Sequence, residues 1–430
     1  MDRRPIVNEP CLKLTTYFGE RQRVVTDHVR RPGFLADAML DLFDTRELAT
    51  SVMLRGIASF GPQHILRTDE SLSLSEDPPV AITAVDVESK ISGLVDDVVA
   101  MTSRGLVTLE RARLVGDHDV LDARADDAVK LTVYVGRQER IGGLPAYRAV
   151  SDLLYRLGFS GGAVFLGVDG TAHGERYRAR FFGRNVNVPL MIISIGTAAQ
   201  VSAAVVELSA ATPNPLLTVE RVQLCKRDGE LFARPHRLPD TDDRQRPLWQ
   251  KLMVHTSEAT GHGGVPIHRA LVHRLLDSGM SRGATVLRGI WGFHGDHKPH
   301  GDKLFQLTRR VPVVTIIIDT PEWIARSFDI VHELTAEHGV VTSEMVPAVV
   351  SISGPNRVGG TELARHDYCP GRLTCTPALP CRPAAAPTST LRRRACRRPA
   401  GARRPVRSSS SRGFRRSVGR ASGSDIAPTP

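Results

Sequence analysis

Apolar and polar positions alternate through Leu12-Lys13-Leu14-Thr15-Thr16-Tyr17-Phe18, a period of two that predicts a strand. The spacing then changes. Phe34, Leu35, Ala38, Met39, Leu42 and Phe43 recur at three and four residues, the stripe of an amphipathic helix, and Pro32 suits its first turn, where a missing N–H has no partner to lose. Ser51 to Ile57 is a second strand, followed by a polar loop to Asp77 and a third strand from Pro79 to Val85. Ile91, Leu94, Val95 and Val98 line one side of a helix over Val87 to Thr102, and Leu106 to Val115 closes the unit as a strand. The order is strand, helix, strand, strand, helix, strand, the split β-α-β or ferredoxin-like pattern of an α+β domain.

The pattern returns twice. A second unit opens at Val129-Lys130-Leu131-Thr132-Val133-Tyr134-Val135, carries a helix from Pro145 to Leu157 and ends at Leu217-Thr218-Val219-Glu220. A third opens at Lys251-Leu252-Met253-Val254-His255, starts its helix at Pro266 and ends at Val341-Thr342-Ser343-Glu344. Four sets of residues keep a spacing of 110 to 124: Lys13, Lys130 and Lys251; Gly56, Gly167 and Gly289; Pro79, Pro189 and Pro312; Glu110, Glu220 and Glu344. Duplication of a whole domain accounts for this. The expected domains are 8–116, 127–228 and 247–352. Linker compositions lie over Gly116 to Asp127 and Asp228 to Arg246.

The third strands do not alternate. Leu190-Met191-Ile192-Ile193-Ser194-Ile195 and Val313-Val314-Thr315-Ile316-Ile317-Ile318 are apolar almost throughout, as suits strands covered on both faces. Helices can cover one face of such a sheet, so the other two units are the expected cover for the second. This implies a monomeric intramolecular pseudo-trimer, sheet faces inward, helices outward and clefts between units; three beads on a string is the alternative.

Charge alters the picture only at the C-terminus. The chain has a formal net charge of +11, but residues 371–430 hold 14 Arg against one Asp, +13, so the rest nets −2. Residues 353–430 are expected to be a disordered Arg/Pro-rich tail with too few aliphatic residues to offset ordering entropy. Two readings of that tail are open: a basic arm for nucleic acid or anionic lipid, with Cys369, Cys375, Cys381 and Cys396 as metal ligands, or a solvated or out-of-frame segment. The body has only Cys11 and Cys225, which argues against a disulfide framework. No transmembrane or signal segment stands out, so a cytoplasmic protein is expected.

Candidate chemistry concentrates in Leu287 to Gly301. His294, His297 and His300 are spaced by three residues in a glycine-rich stretch beside Asp296 and Asp302; three imidazoles could ligate Zn²⁺, Ni²⁺ or Cu²⁺, and a partner-contacting loop is the plainer reading. Arg55-Gly56 and Arg288-Gly289 place a guanidinium beside exposed backbone N–H groups, a combination that could bind phosphate or carboxylate. Leu166 replaces the arginine in the second unit. Gly263 and Gly264 precede a helix and resemble a phosphate cradle, or serve a tight connection. The lysine and glutamate sets are expected to pair across strands or units. No nucleophile-base or paired-carboxylate arrangement emerges from spacing, so the protein is expected not to be an enzyme.

The phrases LKLTTYFGE, VKLTVYVGR, GGVPIHRALVHRLLDSGMSRGATVLRGIWGFHG, LSEDPPV and GLVTLERARLV resemble the PII-like family of uncharacterised signalling proteins, domain of unknown function 190, in three tandem copies over residues 11 to 352. The resemblance implies a relative of the trimeric PII signal transducers, which bind small effectors, often adenine nucleotides, in clefts between subunits. Their long loop after the second strand contacts a partner such as a transporter, channel or enzyme. Here those loops correspond to Ser59 to Asp77, Asp169 to Asn187 and Gly292 to Arg310. The sequence departs from PII proteins in lacking their Thr-Gly-x-x-Gly-Asp-Gly-Lys phosphate loop. The expected function is a small-molecule sensor; a metal-binding sensor or metal-dependent enzyme built on the histidines, and nucleic-acid binding through the tail, are the alternatives.

Overall fold

The computed structural model describes residues 9–24, 33–68, 77–115, 123–178, 187–212, 215–295, 297–301 and 310–366. Asp296, Asp302, the four tail cysteines and the middle of each expected loop lie outside them. In repeat 1, β1 (Glu9–Gly19), α1 (Leu35–Thr45), β2 (Thr50–Phe60), β3 (Pro79–Val87), α2 (Glu88–Ser92), α3 (Val95–Met101) and β4 (Arg104–Leu114) follow in order. Repeat 2 has β5 (Ala128–Gly136), α4 (Ala146–Arg156), β6 (Gly161–Leu166), β7 (Asp169–Ala172), β8 (Pro189–Thr197), α5 (Ala198–Ala211), β9 (Leu216–Arg221) and β10 (Gln223–Arg227). Repeat 3 has β11 (Trp249–Ser257), α6 (Ile267–Ser278), β12 (Ala284–Arg288), β13 (Trp291–His294), β14 (His297–Gly301), β15 (Pro312–Asp319), α7 (Pro321–Leu334), β16 (Val340–Val346), β17 (Ala348–Ser353) and β18 (Asn356–Gly360).

The chain is α+β, and each repeat builds one antiparallel sheet of the same order. In repeat 1 it runs β2-β3-β1-β4, in repeat 2 β6-β8-β5-β9, in repeat 3 β12-β15-β11-β16. The third strands lie inside their sheets and are buried on both faces, as their apolar runs require; only Val87, Thr197 and Pro312 at their ends are less than fully buried.

Several local expectations are corrected. The helix expected over Val87 to Thr102 is broken into α2 and α3 at Gly93 and Leu94, as a residue without a Cβ inside a helical stretch favours. Phe34 is exposed and precedes α1, with the Arg23 guanidinium over its ring at 5.1 Å. Order does not stop at residue 352: Gly354, with φ +62°, turns the chain so that β18 pairs back onto β17, and Ala364 is fully buried.

Strands leave their own repeat and complete the next. The end of β4 pairs with β9, β10 with β16, and β17 with β4, so repeat 1 extends onto 2, 2 onto 3 and 3 onto 1. Second strands run the opposite way: the end of β2 pairs with β12, β7 with β2, and β13 with β6. Both cycles close. The cores record the exchange, since the core of repeat 1 contains Ala348, Val350 and Ile352, that of repeat 2 contains Val115 and Phe293, and that of repeat 3 contains Ala58, Phe60 and Cys225. A fourth cluster draws on all three sheets, among them Val52, Phe165 and Met253.

The recurring Gly and Pro belong to this exchange. An added Cβ would lie 3.0 Å from Pro79 Cγ at Gly56, 2.1 Å from the Pro189 carbonyl at Gly167 and 2.8 Å from Pro312 Cγ at Gly289. The second strand bends away from its own sheet where it passes the first residue of the third, and a side chain there would collide.

Candidate functional site

The lysine and glutamate sets meet. Lys13 stands opposite Glu110, Lys130 opposite Glu220 and Lys251 opposite Glu344 on neighbouring strands. Each lysine also reaches the glutamate of another repeat. Following the contacts, Glu110 binds Lys13 at 2.9 Å, Lys13 binds Glu220, Lys130 binds Glu220 at 3.3 Å and Glu344 at 2.6 Å, Lys251 binds Glu344 at 3.2 Å, and Lys251 returns to Glu110. Six buried charges alternate in a closed ring. Burial opposes ionisation of Glu110, but Lys13 and Lys251 outweigh it and hold the carboxyl well below the usual range; Glu344 is lowered likewise by Lys130 and Lys251. Burial also opposes the charge on Lys13, and its glutamates overcome it and raise the pKa. The three carboxylates offer oxygens within 4.8 Å of one another, a spacing that could hold a cation, but three ammonium groups already neutralise them. The ring joins the three repeats.

The hairpin of β13 and β14 sets His294 opposite His297, but the three histidines do not converge on one point. His294 ends β13 with Nε2 at 2.5 Å from Asp228 Oδ1, and His300 Nδ1 sits 2.9 Å from the Lys298 carbonyl. His297 is exposed, and among the described residues only Glu110, Glu220 and Glu344 group closely enough for a metal. The expected loop from Gly292 to Arg310 begins as strand, because Trp291–His294 serves as β13 for repeat 2 and His297–Gly301 pairs back on it as β14. His255 lies near His294 in a cavity of about 40 Å³ between repeats 2 and 3; burial, then Lys130, pushes its imidazole down to about 4.

Gly263 and Gly264 form a hairpin turn, with φ +58° and +83°, between Gly261–His262 and Val265–Pro266. Gly142 and Gly143 repeat it at +58° and +82°. Two consecutive positive φ values demand glycine in this turn, which explains the pair without a phosphate. Arg55 and Arg288 occupy matching positions and each binds the carboxylate following its own first strand, Glu20 at 2.5 Å and Glu258 at 2.7 Å.

A roomier opening lies elsewhere. A cavity of about 470 Å³ sits between repeats 1 and 3, where β17 crosses onto β4 and β2 onto β12. The seam is also pinned by Gln63 Nε2 to Ser353 Oγ at 3.3 Å and by the Gly354 N–H to the Ser103 carbonyl at 2.9 Å. Its floor is apolar, with Phe18, Phe60, Ile316 and Ile318, and its charged lining is Arg21, Arg67, Arg104, Arg282 and one carboxylate, Asp77. Asp77 accepts the Arg21 backbone N–H at 2.6 Å. Arg282 is rigidly placed: its Nε donates to the fully buried Asp319 at 2.8 Å and its guanidinium lies over Trp249 at 5.3 Å. The repeat pattern singles out none of these arginines. Their signal lies in the differences between repeats rather than in their identities.

Models of the DUF190 family, described as "Uncharacterized ACR", match residues 11–114, 128–224 and 249–348. The chain belongs to the DUF190 family. These three DUF190 copies coincide with the three sheets. One relative, a "UPF0166 protein" of Aquifex aeolicus (strain VF5), is 36% identical over 99 residues, 23% of this chain and 90% of its own length, so the relative has the length of a single DUF190 repeat. No solved structure matches the chain.

Proposed function

We propose that the protein is a PII-like sensor: three ferredoxin-like DUF190 units fused into a covalent pseudo-trimer that binds an anionic small molecule or adenine nucleotide between repeats. Its role is regulatory and non-enzymatic, with a transporter, channel or enzyme contacted through the loops after the second strands. The observation that carries this reading is the seam cavity. Its volume falls in the range of small-molecule sites, its four lining arginines outnumber Asp77 in the lining and Asp319 behind Arg282 and so favour an anion, and its apolar floor suits a flat ring. No helix of the described residues is long and apolar enough to cross a membrane.

Calorimetric titration with ATP, ADP and AMP tests the proposal. Binding of at least one is expected, weakening as salt rises because the arginines act through charge. Absence of heat with all three, together with no thermal stabilisation by them, would overturn it.

A further inference from the structure

The three interfaces are built by the same exchange of strands, yet the lining of the seam cavity is found at only one of them. Trp249 lies two residues before Lys251; the same places in repeats 1 and 2 hold Cys11 and Ala128. Arg21, eight residues after Lys13, is matched by Gln138 and Ala259, and Arg104, six before Glu110, by Asn214 and His338. The backbone N–H of Arg282 donates to Asp319 at 2.9 Å as that of Ala49 donates to Asp86 at 2.8 Å. Ser160 precedes the corresponding strand of repeat 2.

The other interfaces are differently filled. Between repeats 1 and 2, Arg176 binds Asp169 at 2.7 Å, Asp41 at 2.5 Å and Asp37 at 3.3 Å, so three carboxylates converge on one guanidinium, whereas the seam lining places Arg21, Arg67 and Arg104 beside Asp77 with Arg282 paired to Asp319. Between repeats 2 and 3 the cavity holds about 40 Å³, room for roughly one water. The seam differs in a second respect. Repeats 1 and 2, and repeats 2 and 3, are consecutive, and a short linker keeps each pair at high effective concentration. Repeats 3 and 1 meet without a direct linker.

Resting on the sensor reading above, we propose that the chain binds one anionic effector, in the seam cavity alone, and that the effector closes the seam. Arg21 and Arg104 come from repeat 1 and Arg282 from repeat 3, so one anion held by all three ties the two ends of the chain together. The apolar lining of the same cavity, with Phe18, Phe60, Ile316 and Ile318, suits a ring, which favours a phosphate-bearing aromatic molecule over a bare phosphate. Duplication has thus turned three equivalent clefts into one recognition site and two structural joints.

The test uses the full chain with ATP and inorganic tripolyphosphate as probes, read by calorimetric stoichiometry and by hydrogen exchange. One ATP per chain is expected, with tripolyphosphate binding more weakly. Exchange should slow in β17, the end of β2 and β12, with β10 and β7, the counterparts of β17 and of the end of β2 at the other two interfaces, unchanged. Arg104→Ala should weaken ATP about tenfold or more, and His338→Ala, its counterpart between repeats 2 and 3, should leave it unchanged. Three ATP per chain, equal protection at all three interfaces, or equal effects of the two variants would overturn the single-seam site while leaving nucleotide sensing intact. Failure of ATP and tripolyphosphate to bind would remove both.

Discussion

Lys130→Met is expected to destabilise the folded chain by about 3–5 kcal/mol, read as a lower urea midpoint. Lys130 is the most enclosed member of the ring, its side chain 2% exposed, and it bonds Glu344 through both carboxylate oxygens. Removing it leaves Glu220 and Glu344 with one lysine each in a site closed to water. Burial already lowers the Lys130 pKa despite its two glutamates, so its desolvation is not fully repaid. The large cost of the variant therefore comes from stranding carboxylates, not from a strong net bond. A change under about 1 kcal/mol would be the behaviour of a solvated surface pair and would place these groups in water.

Phe293→Ala is expected to cost about 3–5 kcal/mol, the range for losing a buried phenyl ring, and the loss should fall on repeat 2 although the residue belongs to repeat 3. Its ring packs in the core of repeat 2 and meets Tyr155 edge-on at 5.7 Å. Gly162 makes room for it: an added Cβ would sit 2.6 Å from the Phe293 ring. Hydrogen exchange should accelerate in α4 and β6 more than in α6. Acceleration confined to α6 and β12 would mean that each repeat holds its own strands.

The sequence carried the repeat and the unit plan because both rest on short-range signals, the alternation in β1, β5 and β11 and the helical stripes between them. It also carried the lysine and glutamate sets, whose spacing survived duplication because all six charges must balance in one buried ring. The strand exchange was not legible. Nothing in Trp291 to His294 distinguishes a strand that pairs with its own repeat from one that pairs with another, and the histidines drew attention to a segment whose firmest task is to support repeat 2. The seam lining was hidden for the opposite reason. Arg21, Arg104, Arg282 and Trp249 are dispersed through the sequence, belong to two repeats, and become a group only when the ends of the chain meet.

That meeting is the claim on which the rest depends, and a double-mutant cycle on Lys251→Met and Glu110→Leu tests it most directly. The two residues are separated by 141 positions and touch only if repeat 3 closes onto repeat 1. Closure predicts a coupling energy of about 2 kcal/mol or more, the double variant losing less than the two single variants together. Effects that add within about 0.5 kcal/mol would contradict it and leave three repeats strung side by side.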